Sequence, residues 1–155
     1  MRLLAPALFA AALLVVTAPV TRVSACPQEK VKVTVVVILA TEQGDFVDKR
    51  LKDFAKEVQV KYPTYKSFQI KKMTNKSLAP DEKATFKLVD DVTAQIVVKH
   101  GADKQNRVSL AVTAPEQGEI VYRTVCGKYL PIVTRYQTKA KELLMLAIEV
   151  KPCNE

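Results

Sequence analysis

The run Val31-Lys32-Val33-Thr34-Val35-Val36-Val37-Ile38-Leu39-Ala40-Thr41 decides the fold. It opens with apolar residues at every second position and ends almost wholly apolar. Side chains of a strand point alternately to its two faces, so a strip that turns apolar throughout needs cover on both. Val31–Thr41 is therefore expected to be a central strand. Eighteen valines between Cys26 and Glu155 extend the preference for sheet to the rest of the chain, because β-branched side chains suit a pleated, half-buried surface.

Beyond a Glu42-Gln43-Gly44-Asp45 turn comes the one convincing helix, about Asp48–Tyr62. Leu51, Phe54, Ala55, Val58 and Tyr62 share one face at helical spacing, and Lys49, Arg50, Lys52, Asp53, Lys56 and Glu57 cover the other. Asp45 or Asp48 can cap its start, and Pro63 stops it. From there the chain reads as strands and turns: Tyr65–Met73, Thr85–Val89, Val92–Lys99, Arg107–Thr113, Ile120–Val125, Ile132–Tyr136 and Leu143–Val150. One strand, one helix, then six or seven strands on short connections means antiparallel pairing. The expected class is α+β and β-rich, an antiparallel sheet or sandwich with one packed amphipathic helix. No repeat, low-complexity tract or linker divides residues 26–155, which read as a single domain.

Residues 1–25 are of another kind. Met1-Arg2 is a minimal basic start, Leu3–Val16 an apolar core, and Ala18–Arg22 a short polar region before Val23-Ser24-Ala25. Small residues at 23 and 25 suit a signal peptidase, so cleavage between Ala25 and Cys26 and export are expected. The apolar run is too short for a membrane anchor, and no later run approaches the length of a span. Val23-Ser24-Ala25-Cys26 also has the form of a bacterial lipobox, with Cys26 as the acylated residue. Soluble export is favoured over a lipid anchor, because Arg22 and Pro19 interrupt the approach to Cys26 and the first strand begins about five residues after it, leaving little tether.

Export places the cysteines in an oxidising space, where three thiols allow one bridge. Cys26 stands just before the first strand and Cys153 just after the last. If those strands are antiparallel neighbours, Cys26–Cys153 is the bridge and Cys126 is spare. The competitor, Cys126–Cys153, is what the lipid-anchor reading requires.

Composition narrows the chemistry. The chain has 24 Lys+Arg against 16 Asp+Glu, one His and no Trp. A hydrolytic triad needs a base beside a nucleophile, and the only imidazole, His100, sits in an expected loop with no marked partner. Structural zinc needs Cys and His in close pairs, which are absent. Asp81-Glu82 and Asp90-Asp91 read as turn residues and lack a calcium-loop pattern. No catalytic, cofactor-binding or metal-binding residue is assigned, and no cofactor is expected.

Cations interleave with aromatics over Lys61–Lys72, and Ile120–Lys141 holds Arg123, Lys128, Arg135, Lys139 and Lys141 without an acid. Such surfaces can meet an anionic polymer, although solvated faces look the same. Tyr122, Tyr129 and Tyr136 recur every seven residues, an odd spacing that prevents one stacking platform on an unbroken strand. The most individual stretch, Cys126–Thr138, is bracketed by Gly127 and Pro131 where a strand must bend. Its sharper reading is an interaction loop carried by Cys126, Lys128, Tyr129, Arg135 and Tyr136.

On these residues the chain resembles a group of small exported bacterial proteins of unassigned function. The likeness rests on a first strand ending Ala40-Thr41, the Asp48-Lys49-Arg50-Leu51 helix start, and a last hairpin around Gly127…Arg135 and Leu143–Val150. It implies a periplasmic, cell-envelope or secreted location and brings no catalytic residues. The cystatins share a plan of helix cradled by sheet. However, Gln95-Ile96-Val97-Val98-Lys99 lacks the glycine of their first hairpin, and the chain has no Trp for their second. The expected function is an exported, non-enzymatic binding domain whose partner is a protein or envelope component, met through a sheet edge or the Cys126–Thr138 loop. The alternatives are a small secreted hydrolase using carboxylates or Cys126, and a cystatin-like protease-inhibitor module.

Overall fold

A computed structural model describes residues 30–152. Eight strands, β1 (Val31–Thr41), β2 (Ser67–Leu78), β3 (Lys83–Lys87), β4 (Thr93–His100), β5 (Arg107–Thr113), β6 (Glu119–Val125), β7 (Tyr129–Gln137) and β8 (Leu143–Pro152), accompany one helix, α1 (Lys52–Lys61). A 3-10 turn at Lys49–Leu51 leads into α1, and the Asp48 carboxylate accepts the Arg50 backbone N–H at 3.0 Å as its cap. The strands form two antiparallel sheets, one ordered β2-β1-β8-β7 and the other β3-β4-β5-β6. The fold is thus β-rich α+β, with seven strands after the helix.

Strand β1 has β2 on one side and β8 on the other, the latter running in register from Val31 opposite Pro152 to Ala40 opposite Leu143. Its two faces feed different cores. Val31, Val33, Val35, Val37 and Leu39 join Leu144, Leu146, Ile148 and Val150 of β8 in one buried cluster, together with Phe86, Ile96, Val98, Leu110 and Val112 of the second sheet. Val36, Ile38 and Ala40 join Met145, Ala147 and Phe68 beneath Leu51, Phe54, Ala55 and Val58. The unbroken apolar run has this cause: alternate side chains enter alternate cores.

Sequence and structure differ most at β2, which runs five residues past the expected end at Met73. Thr74-Asn75-Lys76-Ser77 is polar because β2 is an edge strand, open to water along one side. His100, expected in a loop, ends β4 at a bulge opposite Ser109. The β3–β4 turn holds both Asp90 and Asp91 in the left-handed region, φ 48° and 63°, which short polar side chains tolerate. Turn geometry is therefore their structural role.

Strand β7 breaks register with β8 between Val133 and Gln137. Thr134, buried there, donates its hydroxyl to the Leu144 carbonyl at 2.7 Å and accepts the Tyr136 N–H at 3.2 Å. Thr134→Val keeps the shape and strands both backbone groups. It should cost about 1–3 kcal/mol, read as a lower urea midpoint at unchanged slope.

Candidate functional site

The stretch expected as an interaction loop is mostly strand. Only residues 126–128 form a turn, and Tyr129–Gln137 is β7, the edge of the first sheet. Gly127 adopts φ +78° and donates its N–H to the Val150 carbonyl at 2.8 Å, bending the chain out of β6 and into β7. The outer side of β7 is poorly suited to adding another strand. Gln117 Nε2 donates to the Val133 carbonyl at 2.9 Å, so that carbonyl points away from β8. Pro131 has the same parity and no N–H to offer there.

The residues expected to act together are divided along this strand. Lys128 and Tyr129 lie at its start, whereas Arg135 and Tyr136 lie at its far end, about 20 Å away at strand rise. Tyr136 packs against the inter-sheet core and its hydroxyl donates to Asp90 Oδ2 at 3.2 Å, which raises its pKa together with burial, the larger cause. Cys126 is a free, half-buried thiol against the same core. Burial pushes its pKa up and the Asp103 charge adds to that, which leaves it protonated and weakly nucleophilic. His100 lines a recess of about 250 Å³ with Asp103, Arg107, Ser109 and Arg123, and Cys126 is not part of that lining. Among the described residues no group of three or more His, Cys, Asp or Glu side chains could hold a metal ion, and no helix is long and apolar enough to cross a membrane. The Ala25–Cys26 junction, Cys26 and Cys153 lie outside the described residues.

Lys128 and Tyr129 instead meet a feature made by the helix. With 10 residues, α1 is about 15 Å long, while the 11 residues of β1 reach about 36 Å. The helix covers the end of its sheet face near Ala40 and leaves the rest open. A groove of about 570 Å³ results. Val36, Ile70, Met73 and Ala147 form its floor, Arg50, Asp53, Phe54 and Glu57 its helix wall, and Lys128 and Tyr129 the opposite wall. Met73 is 46% exposed and Tyr129 45%, so apolar surface stands in water here.

Charge around the groove is two-sided. Arg50 is held by Asp48, Nη2 to Oδ2 at 3.1 Å, and this hydrogen bond lowers the Asp48 pKa and raises that of Arg50, with the Tyr129 phenol adding a smaller effect on Arg50. Asp53, Glu57 and Lys128 also line the groove. Lys128 and Tyr129 stand out in the sequence, whereas the floor does not. Val36, Met73 and Ala147 come from three strands, and only the sheet order brings them together. No family profile, curated protein or solved structure matches the chain.

Proposed function

We propose that this is an exported, non-enzymatic binding domain that takes a short segment of another envelope or extracellular protein into the groove beside α1. The scaffold is read as a sandwich of the two sheets, with the amphipathic helix as a partial third layer, in a single domain after a cleaved leader. One observation carries the reading: the helix is too short for its sheet, and the exposed remainder is an apolar floor between walls of opposite charge. A floor of Val36, Ile70, Met73 and Ala147 suits an apolar side chain. Acids on one wall and Lys128 on the other suit a peptide carrying both signs, and would disfavour a simple hydrocarbon.

Photo-crosslinking tests it. A benzoylphenylalanine introduced at Met73 or Tyr129 should yield a discrete cross-linked protein in the producing cell, and the same group at Val60, exposed on the far side of α1, should not. Lys128→Glu should reduce the Met73 product several-fold. Equal products from Val60, or none from the groove positions, would overturn the reading.

A further inference from the structure

Net charge is unevenly placed on the fold. The short β6–β7 turn, the β4–β5 loop and the paired ends of β1 and β8 all lie at one pole. Two backbone bonds tie that pole together, Cys126 N–H to the Asn106 carbonyl at 2.8 Å and Gly127 N–H to the Val150 carbonyl at 2.8 Å. Lys30, Lys32, Lys99, Lys104, Arg123 and Lys128 stand around it, and none is in an ion pair among the described residues. Its acids are mostly spoken for. Asp103 is bound by Arg107 at 2.9 Å and Glu149 by Lys151 at 3.3 Å, while Asp81 and Glu82 sit in one corner, in the β2–β3 turn beside Lys83. The opposite pole differs. There Glu42, Asp45, Asp90, Asp91 and Glu142 stand among Lys87, Arg135, Lys139 and Lys141, and Asp48 is paired with Arg50, so charges of both signs mix. Unpaired positive charge is thus concentrated at one end of the strands.

The described chain begins at the basic pole, with Lys30. Until cleavage after Ala25 the apolar stretch Leu3–Val16 precedes it in sequence, so this pole is the part of the domain nearest the membrane during export. Lys30 is four positions after Cys26, a reach of at most about 14 Å, close to the range over which charge is felt in physiological salt. We infer that this pole is a docking surface for the phosphate head groups of an anionic membrane, with the mixed-charge pole turned away. Fixed charge arranged this way attracts the surface and orients the domain on it. This surface shares Lys128 with the groove but needs neither Met73 nor Tyr129.

The test uses the full chain and vesicles of phosphatidylcholine, with and without phosphatidylglycerol. Wild type should sediment with the anionic vesicles at low salt, more than with neutral ones, and be released by added salt. The triple variant Lys104→Glu, Arg123→Glu, Lys128→Glu should lose this anionic-dependent binding about tenfold or more. The variant Lys87→Glu, Arg135→Glu, Lys139→Glu carries the same net charge with its changes at the other pole, and should retain it. On wild-type protein, vesicles should shield Lys104 and Lys128 from acetylation and leave Lys139 open, a readout that needs no variant. Equal loss in both variants, no loss in either, or shielding at Lys139 would overturn the proposal. So would binding lost to heparin but retained on vesicles, which would make a soluble polyanion the ligand.

Discussion

Phe68→Ala is expected to lower stability by about 3–5 kcal/mol, a large part of the 5–15 kcal/mol of a typical domain. Phe68 is fully buried on β2, in the cluster that joins α1 to the first sheet. Its backbone also holds the incoming loop: Phe68 N–H donates to the Phe46 carbonyl at 2.7 Å, and Asp48 N–H to the Phe68 carbonyl at 3.1 Å. Losing the ring leaves a cavity between helix and sheet that the two layers cannot close without shifting this loop. Urea unfolding should show a much lower midpoint, and Val60→Ala, at an exposed helix position, should stay within about 0.5 kcal/mol of wild type. A cost under about 1 kcal/mol for Phe68→Ala would mean that the helix is not packed on the sheet as described.

The second large effect concerns the proposed Cys26–Cys153 bridge. Closing a loop of more than a hundred residues stabilises by about 4–5 kcal/mol on the chain-entropy account. Cys153→Ser, or reduction of the wild type, should lower stability by about that amount. The pairing of Val31 with Pro152 supports this bridge, because each cysteine continues the chain from one of two neighbouring strand ends. Non-reducing peptide mapping should find Cys26 joined to Cys153 and Cys126 as a thiol. Cys126 in the bridge would overturn the proposal, and a diacylated Cys26 would favour the lipid anchor instead.

What could be read in advance depended on burial. β1 was legible because both of its faces are buried from Val35 to Ala40, and α1 because Leu51, Phe54, Ala55 and Val58 repeat at helical spacing against one core. The end of β2 was not, since an edge strand at Thr74–Ser77 satisfies itself with water and leaves no apolar period. The partition of strands into two sheets, with β8 inserted between β1 and β7, has no local signature at all. The groove inherits that difficulty. Lys128 and Tyr129 stood out by composition, but Met73 looked like the last residue of a strand and Ala147 like ordinary core. Arg135 and Tyr136, adjacent to the same motif in sequence, belong to the other end of the molecule.

Strand β8 also has a consequence in time. It lies between β1 and β7, yet it is made more than a hundred residues after β1. As the nascent polypeptide emerges, Val33, Val35 and Val37 gain β2 early but lack their second neighbour until residues 143–152 have left the ribosome. Contacts this distant along the chain close slowly. The first sheet is therefore completed only after nearly all of the described chain has been synthesised, so a stalled or truncated polypeptide lacking residues 143–152 leaves β1 open on one side.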